Sequence, residues 1–270
     1  MTQTATVQET RRRRALVTGA STGLGAVFAT ALARQQYDLT IVARGRERLE
    51  ALAERVRQSY GTVVEVIGAD LTQPTALRTV EEHVASDLAL ELLVNNAGFG
   101  TTGPLARLDP DQEEAEIRLN VLALVRLTRA ALPGMIARGR GAIINVSSLA
   151  AFAPGPYDAT YSATKAFVNS FTEALHEELS GTGVYVQTLC PGFTYTEFQQ
   201  RAGIDISKIP TFVWMTPEAV VNASLHALRR RQVVCVPGLI NRLLALLMGM
   251  APRRLVRRVA GILAHRVLGE

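Results

Sequence analysis

Short apolar runs recur along the chain, each followed by a polar or glycine-rich turn and then by a longer stretch with helical periodicity. Ala15-Leu16-Val17 leads into Thr18-Gly19-Ala20-Ser21-Thr22-Gly23-Leu24-Gly25, and Ala26 to Gln35 is then dense in helix formers. This reads as strand, glycine loop, helix. Leu39 to Ala43 is a second β-rich run, the charged stretch Arg46 to Gln58 a second helix, and Val63 to Gly68 a third strand that ends at Asp70. The alternation continues with a helix near Pro74 to Ala85, a strand at Leu92 to Val94, a long helix from about Asp111 to Met135 and a strand at Ala142 to Val146. A helix over Tyr161 to Ser180 and a strand over Val184 to Leu189 follow, and Val233 to Val236 is the candidate for a seventh strand. Each crossover is long enough for parallel pairing, so the pattern predicts an α/β fold. The expected form is a Rossmann-type doubly wound parallel sheet with helices on both faces.

Composition adds domain organisation. With 270 residues, 48% of them apolar, and no linker-like stretch, the chain reads as one domain over 15–238. A basic arm, 1–14, expected to be disordered, precedes it, and a basic amphipathic helical tail, 239–270, follows it. From Arg229 onward nine arginines face only Glu270, so this end carries about +8 while the rest holds 20 basic against 23 acidic residues. A pI set by one tail argues against a nucleic-acid binder. In that tail Leu255, Val259, Ile262 and Leu263 share a helical stripe flanked by Arg253, Arg254, Arg257, Arg258 and Arg266. Two fates suit such a helix: contact with an anionic membrane surface or acyl chains, or packing on the body or on another subunit.

Cys190 and Cys235 lie in apolar stretches and read as buried core thiols of a reducing compartment. The four histidines form no ligand spacing, so no metal is expected. No signal-peptide core follows the arginine-rich start, and Leu243 to Ala251 is far short of the ~20 residues of a spanning helix. A cytoplasmic protein is expected, with the tail as its one candidate for peripheral contact with the inner face of a membrane.

The candidate chemistry begins at the first turn. Gly19, Gly23 and Gly25 between a strand and a helix let backbone approach a pyrophosphate, whose charge the helix N-terminus favours. At the end of the second strand, where NAD-favouring folds carry an acid, stand Ala43 and Arg44, with Arg46 and Arg48 close by. A guanidinium there suits a ribose 2′-phosphate, so NADP(H) is expected over NAD(H).

Tyr161 and Lys165 are one helical turn apart on one face. A phenol with a pKa near 10 works at neutral pH only when a cation stabilises its phenolate, which the lysine can do. Hydride transfer to a carbonyl leaves negative charge on oxygen, which calls for a second hydrogen-bond donor. Ser148, just past the strand that ends at Val146, is the candidate, because ligands sit at the carboxyl ends of an open parallel sheet.

With these motifs in view the sequence resembles the short-chain dehydrogenase/reductase family. Thr18 to Gly25 matches its TGxxxGxG motif, with Ser21, Thr22 and Leu24 in the loop; Asn95-Asn96-Ala97-Gly98 matches NNAG and Tyr161 to Lys165 matches YxxxK. Ser148 precedes Tyr161 by the family's thirteen residues, and the match covers roughly residues 13 to 200. The resemblance implies that Asp70 and Leu71 border the adenine and that Asn96 to Gly98 line the cofactor cleft. It also implies that Lys165 binds the nicotinamide ribose as well, that Asn120 is a fourth catalytic residue holding a relay water, and that Pro191, Gly192, Thr194 and Thr196 hold the nicotinamide end. It further implies a homodimer or homotetramer formed through two long helices. One departure concerns Thr22, where many NADPH-using members carry a second basic residue, so the cofactor expectation rests on Arg44.

Phe193 to Met215 reads as a lid over the cleft, with Phe193, Tyr195, Phe198, Phe212, Val213 and Trp214 as an apolar wall. The expected activity is an NADP(H)-dependent oxidoreductase acting on a hydrophobic carbonyl or secondary alcohol, of acyl, steroid-like or aromatic type. The alternatives are an NAD-linked alcohol or hydroxysteroid dehydrogenase, or a non-catalytic NADP-binding sensor or membrane scaffold.

Overall fold

The computed structural model describes residues 12–202 and 210–268. Seven strands form one sheet: β1 (Arg13–Thr18), β2 (Tyr37–Ala43), β3 (Val64–Gly68), β4 (Leu90–Asn95), β5 (Gly141–Val146), β6 (Val184–Leu189) and β7 (Val234–Cys235). All pair in parallel, in the order β3-β2-β1-β4-β5-β6-β7. The strands are apolar without alternation because helices cover both faces; Ala15, Leu16, Val17 and Thr18 are all buried.

The helices are α1 (Gly23–Arg34), α2 (Arg46–Tyr60), α3 (Pro74–Ser86), α4 (Pro110–Ile117), α5 (Leu124–Ala137), α6 (Ala159–Glu178), a single turn α7 (Phe198–Arg201), α8 (Pro217–Arg229), α9 (Leu239–Met250) and α10 (Arg253–Leu268). Phe28, Leu32, Leu49, Val56 and Leu225 pack helices α1, α2 and α8 on one face of the sheet. Leu77, Val80, Leu127, Met135 and Leu175 pack α3, α5 and α6 on the other. Full burial of each large side chain contributes roughly 1.5–3 kcal/mol, so the two layers fix the sheet between them.

Strand order reverses between β1 and β4, and the loops after their carboxyl ends diverge into a crevice, where an open α/β sheet places its ligand.

The seven-stranded parallel sheet matches the expectation from the hydrophobic pattern, with several boundaries moved. β1 starts at Arg13 rather than Ala15, because Arg13 lies over the Tyr37 ring at 4.3 Å and Arg14 pairs with Asp87 at 3.2 Å. Residues 1–11 of the expected basic arm lie outside the described residues. The long helix expected from Asp111 to Met135 is not uniform: between α4 and α5, residues Arg118–Ala123 widen into a π turn. Helix α8 had no predicted counterpart, whereas α9 and α10 fall within the expected helical tail, which breaks into two at Ala251-Pro252. Within α10, Leu255, Val259 and Ile262 are exposed rather than packed on the body, while the side chains of Leu263 and Arg266 lie outside the described ones.

Candidate active site

Thr18, the last residue of β1, ties the first two loops together. Its hydroxyl accepts the backbone N–H groups of Asn96 and Ala97, both at 3.0 Å, and donates to the Val94 carbonyl at 3.3 Å. Asn96 answers by donating its side-chain amide to the carbonyls of Thr18 (2.8 Å) and Gly19 (3.2 Å). The asparagine therefore holds the glycine loop and does not offer its amide to the cleft.

Gly19 and Gly23 have φ of 66° and 56°, a region that side chains with a Cβ avoid. Gly25 is needed for a different reason, since a Cβ there would stand 2.3 Å from the Gly19 carbonyl oxygen. At the start of α1, Thr22 makes no side-chain cap, which leaves first-turn N–H groups for an external acceptor. A bare, tightly folded loop at a positive helix end fits a dinucleotide's pyrophosphate.

The catalytic candidates converge at the ends of β5 and α6. The Tyr161 hydroxyl is hydrogen-bonded to Ser148, whose Oγ also accepts from the Ala150 N–H at 3.1 Å. Lys165 Nζ donates to the Val146 carbonyl at 2.9 Å and lies 5.6 Å from the Tyr161 ring centre. Ser147 fixes the lysine from behind by donating to its backbone carbonyl at 2.9 Å. Asn120 is buried in the π turn, donates to the carbonyl of Phe99 (2.8 Å) and to Thr164 (3.1 Å), and accepts the Phe99 N–H at 3.2 Å. The widened turn aims the asparagine at the NNAG loop: a Cβ on Gly98 would meet Asn120 Oδ1 at 2.9 Å and Lys165 Nζ at 3.4 Å.

Burial dominates the electrostatics. It pushes the Tyr161 phenol above its ordinary range, with Asp158 and Glu116 adding to the rise and Ser148 opposing it. Burial lowers Lys165 to about 8, against the pull of Glu116. A phenol raised above its ordinary range is placed to give up a proton rather than to take one. Glu116 is buried and raised to about 7, chiefly by its burial. One of its oxygens accepts the Thr101 N–H (2.9 Å) and hydroxyl (3.0 Å), while the other has no partner. The same Thr101 hydroxyl also contacts the half-buried Glu113. One hydroxyl proton between two carboxyls is satisfied on both sides only when one carboxyl is protonated.

A cavity of about 1100 Å³ runs between these groups. Among its lining are Gly19, Ser21, Thr22, Gly23, Leu24, Arg44, Asp70, Leu71, Asn96, Ala97, Gly98, Ser148, Tyr161, Lys165, Pro191, Gly192, Thr194 and Thr196. Gly25 and Asn120 do not line it: the first is buried under the Gly19 carbonyl and the second lies behind Phe99 and Lys165. The Asp70 carboxylate is oriented by the N–H and hydroxyl of Thr72, at 3.0 and 2.8 Å. Arg44 is exposed on the cavity rim, whereas Arg46 and Arg48 are engaged with Glu50 (3.4 Å) and Glu197 (3.2 Å).

The expected aromatic wall is only half of what stands there. Phe193, Phe198 and Val213 line the cavity, but Tyr195 stacks on Trp214 at 4.7 Å and, like Phe212, faces outward. The rest of the apolar lining includes Phe99, Leu149, Ala153 and Pro154, together with Leu244 and Met248 of α9 and Ala260 of α10. Residues 203–209 of the expected lid lie outside the described residues. Sequence reasoning also missed Thr18 as a hub and Glu116 as a buried acid. The latter sits among Glu113 and Glu114, and such a run reads as a solvated helix start until the π turn is known.

Comparison with known proteins agrees with this geometry. Residues 13–206 match the family model for short chain dehydrogenases. The chain is 34% identical to the very-long-chain 3-oxoacyl-CoA reductase of Anas platyrhynchos over 215 residues, 78% of this chain and 67% of that one. It is 32% identical to the ketoacyl reductase HetN of a Nostoc strain, covering 80% and 75% of the two chains. Among solved structures, a short-chain dehydrogenase from Sphingobium yanoikuyae in complex with NADPH superposes with a TM-score of 0.82 at 41% identity, over 87% of this chain and 91% of that one. A bulky-bulky ketone specific alcohol dehydrogenase from Comamonas testosteroni gives 0.77 at 32% identity, over 93% and 94%. The glycine loop, the Ser148–Tyr161–Lys165 cluster, the sheet order and these matches together make the chain an oxidoreductase that belongs to the short-chain dehydrogenase/reductase family.

Proposed function

We propose that the protein is an NADPH-dependent carbonyl reductase for a bulky hydrophobic ketone, with 3-oxoacyl thioesters as the first substrate class to test. The observation that carries this reading is a half-buried Tyr161 hydrogen-bonded to Ser148, both lining a large and mostly apolar cavity. The nicotinamide, when bound, supplies the hydride. Ser148 and Tyr161 donate hydrogen bonds to the carbonyl oxygen, and as negative charge gathers there the phenol yields its proton. Lys165, held on the Val146 carbonyl, sets a positive charge beside the phenolate left behind.

Support for NADPH comes from Arg44, exposed on the cavity rim next to the α2 N-terminus, with no carboxylate at the end of β2. The relatives named for 3-oxoacyl-CoA and bulky ketones, and the NADPH-bound neighbour, favour the same substrate and cofactor class. The test follows NADPH oxidation against 3-oxoacyl thioesters, diaryl and steroid ketones, and small polar ketones. Turnover of the bulky members that disappears in Tyr161→Phe while NADPH still binds supports the proposal. Preference for small polar ketones, or for NADH, overturns the corresponding half of it.

A further inference from the structure

Helix α9 touches the rest of the molecule through few residues. Asn241 donates to the Pro237 carbonyl at 2.9 Å, Ala245 is buried, and Leu244 and Met248 reach the cavity. The remaining large side chains stand in solvent: Leu239 (82% exposed), Ile240, Leu243, Leu246, Leu247 and Met250 (76%). Helix α10 continues the surface with Leu255, Val259 and Ile262. An apolar area of this extent on one end of a monomer marks a binding surface.

Charge identifies the occupant. No aspartate or glutamate occurs from Ala219 to Gly269, while Arg242, Arg253, Arg254, Arg257 and Arg258 are all exposed around the leucines. We infer that α9 and α10 dock on an anionic lipid surface, with the leucines entering the acyl boundary and the arginines pairing with headgroup phosphates. Helix α9, at 12 residues, is too short to span a bilayer but long enough to lie in its interface. Guanidinium groups pair with phosphate through two parallel N–H bonds, which makes arginine well suited to this rim. A second copy of the chain suits the surface less well. Two-fold contact would set the arginines of both copies against one another, with no acid in either element to offset them.

Leu244, Met248 and Ala260 line the same cavity as Tyr161, so docking brings that part of the cavity wall to the bilayer. A long acyl substrate then enters from the lipid without crossing water. This consequence rests on the proposed reductase function, whereas the docking itself does not.

The test uses the full chain without cofactor or substrate, sedimented with vesicles of phosphatidylcholine alone or mixed with phosphatidylglycerol. Binding is expected only with phosphatidylglycerol, and it should weaken with salt. Each of Arg253→Gln, Arg254→Gln, Arg257→Gln and Arg258→Gln should lower it by about fivefold. Leu243→Glu with Leu247→Glu should abolish it while the thermal unfolding midpoint stays put, since both side chains are exposed. Absence of sedimentation with phosphatidylglycerol vesicles, or equal sedimentation with phosphatidylcholine alone, overturns the inference. So does a dimer in sedimentation velocity that the two leucine substitutions dissociate, which would make a second copy the occupant.

Discussion

Gly25→Ala tests whether the glycine loop is held by close packing rather than by backbone freedom alone. The added methyl would lie 2.3 Å from the Gly19 carbonyl oxygen and 2.6 Å from Asn96 Nδ2, so one side must retreat by about 1 Å to reach ordinary contact. Neither obstacle rotates away. The first is backbone, and the second is held by bonds to the Thr18 and Gly19 carbonyls, with Asn96 itself anchored on the Thr18 hydroxyl. Overpacking of this kind costs roughly 1–3 kcal/mol, and loss of the Asn96–Gly19 bond adds about 1 kcal/mol. A total near 3 kcal/mol lowers the melting temperature by roughly 6–12 °C for a domain of this size.

Because the shift falls on the loop that faces the pyrophosphate, NADPH affinity should drop about tenfold or more, the value of one charge-assisted hydrogen bond. Differential scanning fluorimetry and a fluorescence titration with NADPH read the two effects. Gly249→Ala is the control: a Cβ there meets nothing within 4 Å, and alanine suits a helix better by up to ~1 kcal/mol, so stability should hold or rise. A Gly25→Ala protein that melts and binds NADPH like the wild type would refute the reasoning.

Arg44→Ala should weaken NADPH by about tenfold and leave NADH nearly unchanged, read as the ratio of the two dissociation constants. Glu116→Gln removes the anion that supports the charge on Lys165, so the alkaline limb of the kcat/KM profile should move to lower pH, because Lys165 then loses its proton earlier. Glu116 itself binds its proton more tightly folded than unfolded, so its share of stability is present below pH 4.5 and is lost as pH rises through about 7. Melting curves across that window should show a loss on the order of 3 kcal/mol that Glu116→Gln abolishes. Asn120→Ala leaves the Phe99 N–H and carbonyl without their partner and should cost roughly 2–4 kcal/mol in denaturant unfolding; wild-type stability would contradict the assigned bonds.

The sequence alone determined the sheet and most of the cleft. Apolar runs buried on both faces read unambiguously as parallel strands, and the turns after β1, β4, β5 and β6 carry short motifs whose chemistry is local to a few consecutive residues. Tyr161 and Lys165 needed only helical spacing, and Ser148 only its place after a strand.

Tertiary structure decided what depends on residues far apart in the chain. It turned Asn96 toward Thr18 and Gly19, across 77 residues or more, and made it a loop anchor. A π turn, which no propensity signals, holds Asn120 against Phe99, and the burial of Glu116 near the end of α4 raises its pKa. It swung Tyr195 and Phe212 outward and supplied cavity lining from α9 and α10 instead. Amphipathic pattern tells which residues avoid water but not which surface they avoid it against. That partner is set by the three-dimensional placement of the helix, which turns Asn241, Leu244, Ala245 and Met248 of α9 to the body and leaves Leu239, Leu243, Leu246 and Leu247 exposed.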